Sequence, residues 1–289
     1  MTMQGIDVSN YKNIDTSLAR DFVVVQTTWG TGQANNVNLV NGVSQLADRQ
    51  IIRAKSSGKK LGVMHYYMGG DVNAEAEFFA QHNRQYFGLA LPCIDWEITD
   101  NPRVNDTELL SQLLDAFEKV LGGKGVVYIS ASRYANLHTT IKNHGWLTWV
   151  AQYATSSPTG IQETPWNDNV YDAILRQYSD NGQIGAGTEI DLDKFYGSPD
   201  DWDELVKKSV GITQKIGAQE MAAPFKAIIQ INDEKRLQYF DGARLHPLTD
   251  PDQVVALQTV AKACGFQLPC LKLGTNKAPM GTRLEQALN

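Results

Sequence analysis

The chain has 289 residues, 42% of them hydrophobic and 20% charged, with a formal net charge of −6. That make-up is ordinary for a soluble globular protein and leaves room for one large domain or a large and a small one. No apolar run reaches the roughly 18 residues of a membrane helix, and the acidic balance argues against nucleic acid as the partner.

The N-terminus, Met1-Thr2-Met3-Gln4-Gly5-Ile6-Asp7, has no basic segment followed by an apolar core. Synthesis in a host cytoplasm without a signal peptide is therefore the expectation. Eight segments carry the length and residue types of strands: Gln4–Ser9, Phe22–Thr28, Leu61–Tyr67, Leu91–Glu97, Val126–Ser130, Leu147–Tyr153, Ala173–Gln177 and Ile190–Phe195. Helical spacing of apolar residues falls between several of them, over Val37–Ser57, Asn73–Tyr86, Asp106–Leu121 and Ser130–Asn143. The third of these is the clearest, with acidic residues at its start and Gly122-Gly123 after its end. The late connections are too short, or too rich in Pro, Gly and Asn, for full helices.

Strands alternating with helices predict an α/β fold, an irregular (β/α) TIM-like barrel with missing late helices. Its extent is put at residues 1–208. A linker is expected over 209–224 and a small α+β domain over 225–289. In that domain, strands are expected at Lys226–Asn232, Arg236–Phe240 and Leu268–Leu273, with helices at Asp250–Gly265 and Thr282–Leu288. Residues 208–289 hold 10 basic and 7 acidic side chains, against 16 and 25 in the rest. A mildly basic tail on an acidic body suits contact with an anionic polymer. Cys93, Cys264 and Cys270 form no C-x-x-C pair and have no His at metal-ligand spacing, so free thiols, no metal and no cofactor are expected.

Leu91-Pro92-Cys93-Ile94-Asp95-Trp96-Glu97 concentrates the chemistry. On a strand, Asp95 and Glu97 share one face, about 6.6–6.8 Å apart along the chain. Desolvation and like charge both oppose their ionisation, which suits acid/base work. The ends of the other strands add Asp7, His65, Tyr128, Gln152, Tyr153 and Gln177. In a (β/α) barrel those ends form one rim. Asp191 falls near the start of the eighth segment, the wrong end for that rim if all strands run one way. Asp193 shares the face of Asp191 and is taken as the lesser of the two, with Asp193→Asn expected to be nearly silent.

The motifs Gly5-Ile6-Asp7-Val8-Ser9, His65-Tyr66, Asp95-Trp96-Glu97, Trp149-Val150-Ala151-Gln152-Tyr153, Gln177-Tyr178 and Ile190-Asp191-Leu192-Asp193-Lys194-Phe195 come in an order that resembles glycoside hydrolase family 25. These are the lysozymes also called N-acetylmuramidases. The resemblance covers roughly residues 4–197 and departs from the family's usual pattern at Asn10-Tyr11-Lys12 and at Gln26-Thr27-Thr28-Trp29-Gly30, where a usual acid is absent. It implies hydrolysis of the β-1,4 bond between N-acetylmuramic acid and N-acetylglucosamine in bacterial peptidoglycan. It implies catalytic roles for Glu97, Asp95, Asp7 and Asp191, with Glu97 as general acid. His65, Tyr66, Tyr67, Tyr128, Trp149, Gln152, Tyr153 and Gln177 are the candidate substrate contacts. A phage endolysin that reaches the wall after release is the expected setting; a bacterial autolysin or toxin, or a barrel that binds carbohydrate without catalysis, is the alternative.

Overall fold

A computed structural model describes residues 2–97, 99–185, 187–211, 227–231, 237–240, 245–263, 268 and 270–273. The chain divides into two compact units, residues 1–219 and 220–289.

In the first unit, eight strands close into a barrel. They are β1 (Met3–Val8), β2 (Phe22–Trp29), β5 (Lys60–Tyr66), β6 (Leu91–Asp95), β7 (Val126–Ser130), β8 (Leu147–Ala151), β9 (Leu175–Ile184) and β10 (Gly187–Phe195). Each pairs with the next, and β1 closes the ring between β10 and β2. Strands β1 to β9 around the ring run parallel, but β10 runs antiparallel to both β9 and β1. An all-parallel barrel is therefore not what forms. The cause is the connection: only two positions separate Ile184 from Gly187, whereas a parallel return needs a dozen or more residues.

Helices α1 (Ala47–Ser56), α2 (Val72–Asn83), α3 (Thr107–Leu121) and α4 (Tyr134–Asn143) pack outside β2 and β5 to β8. α3 buries Leu109, Leu110, Leu113, Leu114, Phe117 and Leu121, each contributing about 1.5–3 kcal/mol. Asp106 caps its start by accepting from Leu109 N at 2.9 Å, and Gly122 ends it at φ 70°. The single helix expected over Val37–Ser57 is instead a small hairpin, β3 (Leu39–Val40) and β4 (Val43–Ser44), followed by α1. Asn41 and Gly42 both have positive φ, 49° and 73°, the backbone of a two-residue hairpin turn.

The barrel interior is packed with Met3, Phe22, Val24, Met64, Leu91, Cys93, Val126, Trp149, Leu175 and Phe195. Its floor is α5 (Pro199–Lys208), which opens on a capping box between Ser198 and Asp201. α5 sends Trp202 and Val206 into the interior, and Trp202 Nε1 donates to Leu61 O at 3.2 Å. Ser209 and Val210 are buried as well, and Gly211 N donates to Leu121 O at 2.9 Å. The barrel unit thus runs to at least residue 211, past the expected boundary at 208; the rest of the expected linker lies outside the described residues.

In the second unit, Ala227–Ile231 pairs antiparallel with Leu237–Phe240 and parallel with Cys270–Leu273, while Leu245–Leu248 adds an edge strand to Leu237–Phe240. No strand is expected over Leu245–Leu248 from the sequence; the strand contains Pro247, which an edge tolerates. The helix Pro251–Ala263 lies between Leu245–Leu248 and Cys270–Leu273 in the chain. Ile228 and Leu268 form its small core with Leu237, Tyr239, Leu248, Val254 and Leu257. Cys270 is a free thiol; Cys264 and the expected helix Thr282–Leu288 lie outside the described residues. No helix among the described residues is long and apolar enough to cross a membrane.

Candidate active site

A cleft of about 230 Å³ opens at the mouth of the barrel, lined by Asp7, Ser9, Gln26, Met64, Asp95, Glu97, Tyr128, Tyr153, Gln177 and Asp191. The four expected acids therefore meet. Asp7 and Asp191 are direct partners in the β1–β10 register. Asp95 is the last residue of β6, and Trp96 N continues the ladder by donating to Tyr128 O at 3.1 Å, which carries Glu97 to the same mouth. Reversal of β10 explains Asp191: the early part of an antiparallel strand lies where its parallel neighbours finish.

Gln177 organises the floor. Its Nε2 donates to Asp7 Oδ2 at 2.6 Å, and its Oε1 accepts from Tyr128 Oη at 2.7 Å and Tyr153 Oη at 2.5 Å. Two hydroxyl donors on one oxygen fix the amide with its nitrogen toward Asp7. Tyr128 also lies in hydrogen-bond contact with Glu97.

Every carboxyl here is pushed above its ordinary range, with burial as the largest cause. Asp7 rises to about 6, held there by hydrogen bonds from Asp193 and Gln177. Asp191 rises to about 9 through burial and the charge of Asp7. Asp95 is raised well above the ordinary value by burial, then by Glu97, Asp7 and Asp191. Glu97 is raised by burial and Asp7, against the Tyr128 hydrogen bond. Among the charges of the described residues acting on these four, only Lys12 opposes the rise, and it acts on Asp191. With so little compensating positive charge, protons do the neutralising. The like charge facing Glu97 is Asp7. Asp95, the neighbour expected to play that part, is itself raised by burial and by the charge of Glu97.

Five expected contacts stand elsewhere, and strand alternation gives the reason for three. Met64 faces the cleft, so His65 faces out: it is fully buried, with Nδ1 2.8 Å from Thr28 Oγ1, Nε2 3.0 Å from Glu75 Oε2, and Phe79 and Phe117 against its ring. Trp149 points inward but lies beneath the cleft, fully buried and edge-on to Tyr128 at 4.9 Å. Gln152 points outward, where its Oε1 accepts from Arg176 Nη2 at 3.1 Å. Tyr67 stacks on Trp96 at 5.1 Å and donates to Gly70 O at 2.8 Å. Tyr66 packs on Trp29 at 4.3 Å, outside the lining. Conversely, Ser9, Gln26 and Met64 line the cleft without having been expected there. Ser9 and Met64 each sit two residues from a candidate, Asp7 and Tyr66, and period 2 could have found them, whereas Gln26 lies on β2, which supplied no candidate.

A barrel mouth that gathers proton-holding carboxyls beside hydroxyl and amide groups is built like a carboxylate-dependent glycoside hydrolase. Residues 6–186 match the family described as Glycosyl hydrolases family 25, and the chain belongs to that family. It is 33% identical over 150 residues to the autolytic lysozyme of Clostridium acetobutylicum, a match that covers 49% of this chain and 41% of that protein. The chain thus spans less than half the length of that relative. The fold is similar to that of a lysozyme from Streptomyces coelicolor, with TM-score 0.55 at 19% identity over 72% of this chain and 98% of that one. It is also similar to a muramidase from Trichobolus zukalii, with TM-score 0.52 at 18% identity over 71% and 99%. The catalytic domain of an endolysin from a Listeria monocytogenes bacteriophage gives TM-score 0.52 at 18% identity over 72% and 98%.

Proposed function

We propose that the chain hydrolyses the β-1,4 bond between N-acetylmuramic acid and N-acetylglucosamine in bacterial peptidoglycan. The observation that carries this reading is the meeting of Asp7, Asp95, Glu97 and Asp191 in one cleft, where burial raises every one of them above its ordinary range. Cleavage needs a carboxyl to protonate the leaving oxygen and negative charge near the oxocarbenium-like carbon. Glu97 is the general acid: it is the less buried of the two acids from the fourth segment and stands beside the Tyr128 hydroxyl. Asp7, which hydrogen bonds from Asp193 and Gln177 hold to about 6 against its burial, supplies negative charge near neutral pH. Asp95 orients the substrate's N-acetyl group, and Asp191 holds the opposite wall of the cleft with Asp7.

The setting in which the chain works is read as a phage endolysin that meets the wall after release from the host. Residues 220–289 serve as a wall-binding module; the excess of 10 basic over 7 acidic side chains across residues 208–289 favours an anionic wall polymer as its ligand. Tethering would raise the local concentration of enzyme at the wall. The test is clearing of a Gram-positive cell-wall suspension together with release of new reducing ends. Clearing with reducing ends supports the glycosidase, and neither would sink it. A chain ending at Gly211 should cleave soluble glycan strands as fast as the full chain but clear walls more slowly. Equal clearing would remove the wall-binding role.

A further inference from the structure

Asp193 is a carboxyl that the four-acid reading leaves unused. It is fully buried on the inward face of β10, in register with Gly5 of β1 and Gln177 of β9. Trp149 Nε1 donates to its Oδ1 at 3.0 Å. No N–H or hydroxyl among the described residues reaches its Oδ2. What Asp193 does meet is the carboxyl of Asp7, in hydrogen-bond contact. Two carboxyls in such contact hold a proton between them, because an ionised pair without a cation is the costliest arrangement available. Trp149 decides the orientation: an indole can only donate, so it claims Oδ1 and leaves Oδ2 for the shared proton. On its other side Asp7 takes the Gln177 amide at 2.6 Å.

We propose that Asp193 is a positioning residue that, protonated, donates to Asp7 and with Gln177 makes Asp7 the place where the cleft keeps its negative charge. The idea rests on the glycosidase reading for its function, though the contact stands without it. Burial and the Asp7 charge raise Asp193 well above the ordinary range, while the same hydrogen bond holds Asp7 down to about 6. The other groups facing the pair are Asp191 on the strand of Asp193, Asp95 at the end of β6 and Glu97 just past it, the Cys93 thiol, and the Tyr128, Tyr153 and Tyr178 hydroxyls. The thiol and the hydroxyls are all pushed upward and stay protonated near neutral pH. The acids among these groups are raised too, whereas on Asp7 hydrogen bonds from both sides oppose the effect of burial.

The experiment compares Asp193→Asn and Asp193→Ala in the full chain, by pH–rate profile on purified peptidoglycan and by carboxyl-carbon NMR titration of Asp7. Asparagine reproduces the protonated acid, accepting from Trp149 and donating to Asp7; alanine does neither. The expected result is an Asp7 titration in Asp193→Ala about one pH unit or more above wild type. kcat should fall at neutral pH with little change in KM, and Asp193→Asn should rescue both. If alanine does not fold, Trp149→Phe removes only the orienting donor and should move the Asp7 titration in the same direction by less. An Asp7 titration that stays put in Asp193→Ala, or in Trp149→Phe where alanine fails to fold, overturns the proposal; so does asparagine behaving like alanine. Wild-type chain without glycosidase activity would sink the functional reading alone, since the NMR comparison would still decide the contact.

Discussion

The two flanks of the barrel are covered in different ways. Strands β2 and β5 to β8 are backed by helices α1 to α4, which bury aliphatic and aromatic side chains. Strands β9, β10 and β1 are backed by residues 152–174, which contain no helix. There the outward face carries polar and charged side chains. Lys194 donates to Glu163 O and Asp168 Oδ2, each at 2.7 Å. Arg176 donates from Nη2 to Gln152 O at 2.9 Å and lies 5.2 Å from the Tyr171 ring. Gln4 Nε2 donates to Gln162 O at 2.9 Å. A helix satisfies its own backbone and can offer an oily face. An irregular segment has spare carbonyls, and buried cations and amides answer them. The cleft sits on the seam, taking Asp95 and Glu97 from the helix-covered flank and Asp7 and Asp191 from the other.

The largest effect should come from the seam itself. Glu97→Gln keeps size and hydrogen bonding but removes the transferable proton, and activity on walls should fall about 10²–10⁴-fold with the circular dichroism spectrum unchanged. The loss should shrink on an activated aryl glycoside, whose leaving group needs no proton. A folded Glu97→Gln with near-normal rates would move the acid to another carboxyl.

Next come the flanks. Asp168→Ala strands the Lys194 ammonium, which is only 5% exposed at its side chain. It should cost about 3–5 kcal/mol in denaturant unfolding. Asp168→Leu with Lys194→Met should recover most of that, because a neutral pair has nothing left to desolvate. On the helix-covered flank, Leu113→Ala should cost about 2–5 kcal/mol through a cavity, with no second substitution of charge able to restore it. If the double variant is no better than Asp168→Ala, the ionic account of this flank fails.

A smaller effect concerns pH. The carboxyl of Asp191 lies higher in the folded chain, at about 9, than its ordinary 3.8. Stability from such a group is fully present below the ordinary value and is lost as pH rises through the folded one. Asp191→Asn removes that loss. It should raise Tm at pH 7–8, with the gain vanishing near pH 4. A constant gain at all pH values would mean that packing is responsible. The smallest expected effect is that of a chelator, which should leave wall clearing unchanged; inhibition reversed by added metal would reveal a metal requirement.

The strands and most helices were legible because β-branched runs and apolar spacing report burial directly. Three features were less so. The turn at Asn41-Gly42 is a strong hairpin signal, but apolar residues on both sides of it keep the spacing of a helix. The direction of β10 depends on the length of the link after Ile184, which strand-forming residue types do not mark. Among the site residues, Asp7, Asp95, Glu97, Tyr128, Tyr153 and Gln177 follow from strand alternation near the rim. His65 and Gln152 sit one residue out of phase with it. Trp149 is in phase but too deep, a distinction that depends on how many layers fill the barrel. Asp193 could be placed on a face from the sequence, yet its contact with Asp7 depends on the pairing of two strands far apart in the chain.

The central claim is that burial and the charge of Asp7 keep a proton on Glu97 for catalysis. Its most direct test is the alkaline limb of kcat/KM on purified peptidoglycan, measured in wild type and in Asp7→Asn. In wild type that limb should lie above the ordinary glutamate range, and in Asp7→Asn it should move to lower pH because a like charge has gone. Asp95→Asn should move it less. A limb at the ordinary glutamate value, or one that stays in place in Asp7→Asn, would contradict the claim.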